Sequence, residues 1–231
     1  LRKLGLIGGM SWVSTRTYYE QINRIVQRRL DGRSSAPLLI ESLDFAQLFA
    51  LKSEEEWRGA AAILSESARR LEQAGAGALV IGANSMHRVY DEVAGSVGIP
   101  IFHIADRVGE RMAAENASPA VLIGTSNVMT EHFYRRRLVS HGIDLLPPDL
   151  ANVEALDALI YEQLMTGKPT RQAERALKTM ITRHEQAGAR AIVLACTELE
   201  QVVDVDANVL PIYDSTRIHA ECAAEWILGG E

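Results

Sequence analysis

A segment in the middle of the chain returns near its end. Residues 72–83 read EQAGAGALVIGA and residues 185–196 read EQAGARAIVLAC, so Glu72 and Glu185 stand 113 residues apart, as do Ala83 and Cys196. The tripeptide Leu6-Ile7-Gly8 comes back as Leu122-Ile123-Gly124 at a spacing of 116. EQAGA would by itself serve as a helix C-terminus, so a shared helix–turn–strand grammar is one explanation of the first match. Two matches at nearly one offset, each ending at the carboxyl end of an apolar run, favour a duplicated unit. With 231 residues the chain can bury either two small cores or one large one.

The hydrophobic pattern fills in both copies. Short apolar runs at 3–8, 37–42, 78–82 and 100–103 read as buried strands. Between them, Tyr18, Ile22 and Ile25 mark one face of a helix from Ser11 or Ser14 to about 30, and Trp57, Ala61, Leu64, Ala68 and Leu71 mark another over 53–73. A further helix begins near Ser85. In the second copy, strands are predicted at 120–124, 143–146 (ended by Pro147-Pro148), 191–195 and 209–212, with helices over 128–140, 151–165, 170–186 and 215–228. Apolar strands alternating with helices imply parallel sheets covered on both faces. The expected architecture is α/β, with two similar Rossmann-like or flavodoxin-like lobes related by a pseudo-two-fold. Residues 1–102 plus about 209–231 would form one lobe and 103–208 the other. A ligand is expected in the cleft between them, because open α/β sheets bind beyond the carboxyl ends of their strands.

Composition narrows the partners. A formal net charge of −6 argues against nucleic acid and against an anionic membrane surface. No apolar run is long enough to span a bilayer, and no signal-peptide pattern precedes the first strand. Two cysteines give no disulfide framework and suit a reducing compartment, so the cytoplasm is expected. The six histidines lack metal-ligand spacing and no GxGxxG is present, so neither a metal nor a nucleotide is expected.

Four predicted strand ends carry the polar chemistry: Gly9-Met10-Ser11, Ala83-Asn84-Ser85, Thr125-Ser126 and Cys196-Thr197-Glu198. Each leads into a predicted helix start, where unpaired N–H groups favour a carboxylate or phosphate. Met10, Ser11, Asn84, Ser85, Thr125, Thr197 and Glu198 are therefore candidates to bind substrate, although helix capping alone would also place such residues there. Cys196 is the candidate reactive group. A thiol at a helix start is expected to ionise below its free pKa of about 8.5 and to act as acid, base or nucleophile; a core thiol is the plain alternative. Cys222, between Ile218 and Trp226 on an amphipathic helix, reads as packing.

Five short motifs occur in order: residues 5–12 (GLIGGMSW), continued by Ser14-Thr15 and Tyr18-Tyr19, then 42–45 (SLDF), 84–87 (NSMH), 195–198 (ACTE) and 211–214 (PIYD). Together they resemble the cofactor-independent aspartate/glutamate racemase family, in its bacterial amino-acid racemase branch, over essentially the whole chain. The resemblance implies proton transfer at an α-carbon by two residues, usually cysteines, with neither pyridoxal phosphate nor a metal. It also implies a homodimer acting on a small amino acid or dicarboxylate. Cys196 would be one of the pair, and the other position is occupied by Ala83, which cannot carry a proton. Ser85 or a bound water could replace it, the change could be engineered, or the chain could run one-thiol chemistry such as decarboxylation or isomerisation of a small dicarboxylic acid. The arginine and lysine that the family often supplies to substrate are missing from residues 44–47 (DFAQ) and 164–166 (LMT), although Lys168 is near. His87 matches a family histidine and could orient Asn84; a binding or sensor protein without chemistry is a third possibility.

Overall fold

In a computed structural model that describes residues 1–49 and 51–230, the chain divides into two compact units. The first comprises residues 1–103 and 219–231, and the second Ile104–Ile218; Ala50 and Glu231 lie outside the described residues.

The first unit is built on a four-stranded parallel sheet of β1 (Leu4–Gly8), β2 (Leu38–Ser42), β3 (Ala78–Ile81) and β4 (Ile101–Phe102), in the order β2-β1-β3-β4. Leu4 pairs with Leu38 on one side and with Ala78 on the other. β1 and β3 are buried throughout, and their period of two sends alternate residues into two separate cores. Ile7, Leu79 and Ile81 pack with Trp57, Leu64 and Leu71 of α2 (Glu54–Gln73). Leu4, Leu6, Ala78 and Val80 pack with Tyr18 and Ile22 of α1 (Trp12–Arg29) and with Ala220, Ala224 and Ile227. A continuous apolar strand is what burial on both faces requires. Ser53 starts α2 with a reciprocal cap: its hydroxyl accepts the Glu56 N–H, and the Glu56 carboxylate accepts the Ser53 N–H. The chain between β3 and β4 is a 3-10 turn (Ser85–Val89) and then α3 (Tyr90–Ala94), so the helix expected from Ser85 is short and begins as a tighter winding.

The second unit repeats the plan. β5 (Ala120–Gly124), β6 (Ala191–Ala195) and β7 (Ile212–Asp214) form a parallel sheet in that order. Beyond β5 the segment around Leu145 makes a single parallel bridge to Ala120, with Leu146 N–H and Ala120 N–H each bonded across it. The strand expected at 143–146 is reduced to that bridge, since Pro147 and Pro148 remove the donors needed to extend the ladder. One face of the sheet packs Leu122 and Val193 against Ile104, Val108 and Met112 of α4 (Ile104–Ala114). The other packs Ile123 and Leu194 against Leu156, Ile160, Leu177 and Ile181. These come from α7 (Val153–Ala158), the winding after it, and α8 (Arg171–Gln186).

Several boundaries differ from the sequence reading. α4 was not anticipated. The helix expected at 128–140 is two, α5 (Ser126–Thr130) and α6 (His132–Ser140), broken at Glu131, which is extended. There the Thr130 hydroxyl donates to the Ser126 carbonyl and competes with continued helix. The helix expected at 151–165 is α7 followed by a π-helical turn (Leu159–Gln163) and a 3-10 turn (Leu164–Thr166). Finally, β7 pairs with β6, so residues from about 209 lie with the second unit, and the chain re-enters the first only within α9 (Ser215–Ile227), after Ile218.

Candidate functional site

In the first unit, the neighbouring strands β1 and β3 bring Met10-Ser11 and Ala83-Asn84-Ser85 to one end of the sheet. The turn after β1 depends on Gly9. Its φ of +85° suits glycine, and a Cβ there would collide with the Leu43 backbone. The Gly9 N–H donates to Thr15 Oγ1 (2.7 Å), and the Thr15 hydroxyl donates to the Ser11 carbonyl (3.1 Å), which ties the turn to the first helical turn of α1. Met10 and Ser11 are buried; Ser11 is the N-cap residue, but its side chain does not cap.

At the end of β3, Ala83 is buried and its carbonyl accepts a hydrogen bond from His87 Nδ1 at 2.9 Å. His87 thus holds the backbone of residue 83 rather than the Asn84 side chain. Its ring lies 4.6 Å from that of His103 and 5.9 Å from that of His219. His219 is fixed from both sides: Nε2 donates to the Phe102 carbonyl, leaving Nδ1 to accept from the Tyr18 hydroxyl. Asn84 is only 4% exposed, and neither its amide oxygen nor its amide nitrogen has a hydrogen-bond partner. An unpaired buried amide costs about 1–3 kcal/mol, so it marks a position shaped for something else. Ser85 is half-buried.

In the second unit, β5 and β6 bring Thr125 and Cys196-Thr197-Glu198 together in the same way. All four are buried. Cys196 is the extended residue that follows β6 and caps the next turn. Its Sγ donates to Glu198 Oε2 at 3.2 Å, and the Thr197 hydroxyl donates to the same oxygen at 2.7 Å. The Thr125 hydroxyl donates to Asn127 Oδ1 at 2.6 Å. Burial pushes the Cys196 thiol well above its ordinary pKa, and the Glu198 carboxylate adds to the shift. The Glu198 and Leu199 N–H groups do face the sulfur and oppose this, but they do not prevail. The depressed pKa expected from the sequence is therefore corrected: the resting thiol is protonated. Its helix is a single 3-10 turn (Thr197–Gln201), too short for a strong N-terminal field. Of the four strand ends, only that of β1 opens a long α-helix.

Three further residues belong to this neighbourhood. Asp157 on α7 accepts the Ser126 N–H at 2.7 Å, and burial raises its pKa. Tyr161 on the π-helical turn has its phenol pushed up, first by burial and then by the charges of Asp157, Cys196 and Glu198. Asp214, ending β7, accepts the Thr216 and Arg217 N–H groups, and burial raises its pKa. Only Asp214 lay in a motif visible in the sequence; Asp157 and Tyr161, four apart, were hidden in a stretch read as plain helix. Among the described residues, no group of three or more His, Cys, Asp or Glu side chains is arranged to hold a metal ion, and no helix is long and apolar enough to cross a membrane.

Two parallel α/β units, one ending in a buried thiol beside a carboxylate and the other in an unpaired amide, define a class of small-molecule proteins with duplicated sheets. The family model for Asp/Glu/hydantoin racemases matches residues 7–223, and the chain belongs to that family. It is 26% identical over 153 residues to the broad specificity amino-acid racemase RacX of Bacillus subtilis, the match spanning 65% of this chain and 65% of that relative. A crystal structure of a Yersinia pestis protein provisionally described as an Asp/Glu racemase superposes with a TM-score of 0.89 at 37% identity, over 99% of this chain and 100% of that one. PH1733, an aspartate racemase homologue from Pyrococcus horikoshii, gives 0.85 at 29% identity, again over 99% and 100%.

Proposed function

We propose that the chain is a cofactor-independent racemase-type enzyme that moves the α-proton of an amino acid with the Cys196 thiol, aspartate and glutamate being the first substrates to try. The observation that carries this is Cys196 itself. Its sulfur sits at the end of the central strand of the second sheet, faced by two backbone N–H groups and bonded to a carboxylate, in a chain of this family. A thiol with a raised pKa is a strong base once it loses its proton, and general acid–base transfer of this kind is worth about 10²–10⁴ in rate.

Substrate would be held by polar groups at the strand ends. The Asn84 amide offers one acceptor and two donors, suited to an ammonium and a carboxylate. Met10 and Ser11 with Ser85, and Thr125 with Thr197, supply backbone N–H groups and hydroxyls. Glu198 acts through its neighbours. Residues 44–47 and 164–166 carry neither the arginine nor the lysine the family often supplies, although Lys168 is near, which favours a range of amino acids over strict selection of the acidic ones. Ala83 leaves the second proton carrier missing, so the enzyme would exchange the α-hydrogen faster than it inverts the centre. Two cysteines outside any disulfide fit a cytoplasmic setting, and a homodimer is the assembly the proposal takes.

The test is exchange of the α-hydrogen in deuterated water, followed by proton NMR over a panel of D- and L-amino acids. Loss of the α-proton signal with retained configuration is the expected result. A folded protein that binds a panel member and exchanges none would overturn the proposal. Ala83 also favours a second reading, one-thiol decarboxylation or isomerisation of a small dicarboxylic acid, in which one protonation suffices. Carbon dioxide released from a substituted malonate, without exchange on any amino acid, would establish the decarboxylation in its place.

A further inference from the structure

In the second unit, packing leaves a gap between α7 and α8. A cavity of about 410 Å³ opens there, within the size range of small-molecule sites. Leu156 and Leu177 are its buried apolar lining, and Leu159 and Met180, only half-buried, keep apolar surface at the opening. Ala155 on α7 and Ala176 on α8 line it as well, and their small side chains leave the space unfilled. None of these residues lies at a strand end.

The rest of the lining carries charge. Arg175, Thr179 and Arg183 recur every four residues on α8, so they share one face, with the two arginines about 12 Å apart along the axis. All three are exposed, and among the described residues neither arginine has an ion-pair partner. Asp149 also lines the cavity, its carboxylate accepting the Asn152 amide at 2.6 Å. Two guanidinium groups against one carboxylate leave the lining net positive, in a chain whose formal net charge is −6. We propose that this cavity is a second ligand site, taking an apolar molecule that carries a carboxylate at each end, a long-chain α,ω-dicarboxylate in its simplest form. The geometry sets the class. An apolar chain covers Leu159 and the adaptable Met180, while each carboxylate takes one guanidinium. The inference goes beyond the proposed function, none of whose residues line the cavity.

The probe is decanedioate, whose extended chain spans the distance between the two arginines. Titration calorimetry on the unsubstituted chain is expected to show saturable binding with a Kd below about 1 mM. Decanediol has the chain without charge, and succinate has both charges with almost no chain; each is expected to bind at least about tenfold more weakly. Arg175→Gln and Arg183→Gln keep good helix formers at exposed positions. Each is expected to weaken decanedioate about threefold, and the two together about tenfold. Ala176→Phe fills the cavity from α8 and is expected to abolish binding with the circular dichroism spectrum retained.

Two controls separate this site from the strand ends. Excess glutamate is expected to leave the affinity for decanedioate unchanged, and Cys196→Ala is expected to bind it as the unsubstituted chain does. Displacement by glutamate would overturn the proposal, because the probe would then sit with the strand-end residues. So would the absence of binding up to about 10 mM, or a Kd that the double arginine substitution leaves unmoved. Should Ala176→Phe not fold, the arginine substitutions decide. Absence of α-hydrogen exchange on every amino acid counts against the proposed function alone, since none of these readouts needs turnover.

Discussion

The two units share a sheet plan and an amino-acid repeat, and they differ where the repeat ends. Ala83, Asn84 and Ser85 of the first unit align with Cys196, Thr197 and Glu198 of the second at the constant spacing of 113. In the second unit those three side chains satisfy one another through a single carboxylate oxygen. In the first, the Asn84 amide is buried with no partner at all. The strand frames behave alike: β1 and β5 are buried throughout, as are β3 and β6. The two units therefore share a scaffold and differ in the side chains at their strand ends. One strand end carries a thiol bonded to a carboxylate, and the other a buried amide with no partner. An amide left unpaired carries a standing cost to stability, which binding of a polar ligand would recover.

Breaking the thiol side should have the largest effect. Cys196→Ala is expected to lower α-hydrogen exchange by about 10³-fold or more, with the fold unchanged by circular dichroism. Residual exchange within tenfold of the unsubstituted chain would place the chemistry elsewhere. A substitution at the aligned amide should act in the opposite sense on stability. Asn84→Ala removes an unpartnered buried amide, so the folded state is expected to gain about 1–2 kcal/mol in urea titrations, while KM for the exchanged amino acid rises. Loss of stability instead would mean that Asn84 is held by protein groups. The smallest contrast concerns the helices that precede the repeat. α2 carries a reciprocal cap at Ser53 with Glu56, whereas α8 has only the Thr170 hydroxyl accepting the Ala173 N–H. Ser53→Ala and Thr170→Ala are each expected to lower Tm by about 2–4 °C, Ser53→Ala by more because it also disrupts the returning Glu56 contact.

Much of this was legible in the sequence because it rests on local signals. Buried strands announce themselves as apolar runs, and the repeat shows where they end; β1, β3, β5 and β6 follow. α4 was legible too and was missed, since Ile104, Val108 and Met112 recur at helical spacing; it starts one residue after His103, where no turn signal separates strand from helix. The breaks at Glu131 and after Ala158 depend on side-chain competition and on winding, which composition does not encode. At the site, the motifs pointed to Asn84 and Cys196. The state of the thiol could not be read, because helix-start reasoning supplies the stabilising N–H groups but omits the burial and the Glu198 charge that outweigh them. Tyr161 and Asp157 were hidden for a related reason: their relevance comes from tertiary approach and not from spacing.

The contrast between the two strand ends stands or falls on one substitution. Ala83→Cys places a second thiol at the position aligned with Cys196. Interconversion of D- and L-aspartate or glutamate, followed by chiral chromatography, is expected to rise by at least about 10²-fold over the unsubstituted chain. A folded Ala83→Cys protein that exchanges the α-hydrogen at the parent rate and inverts no faster would contradict the account.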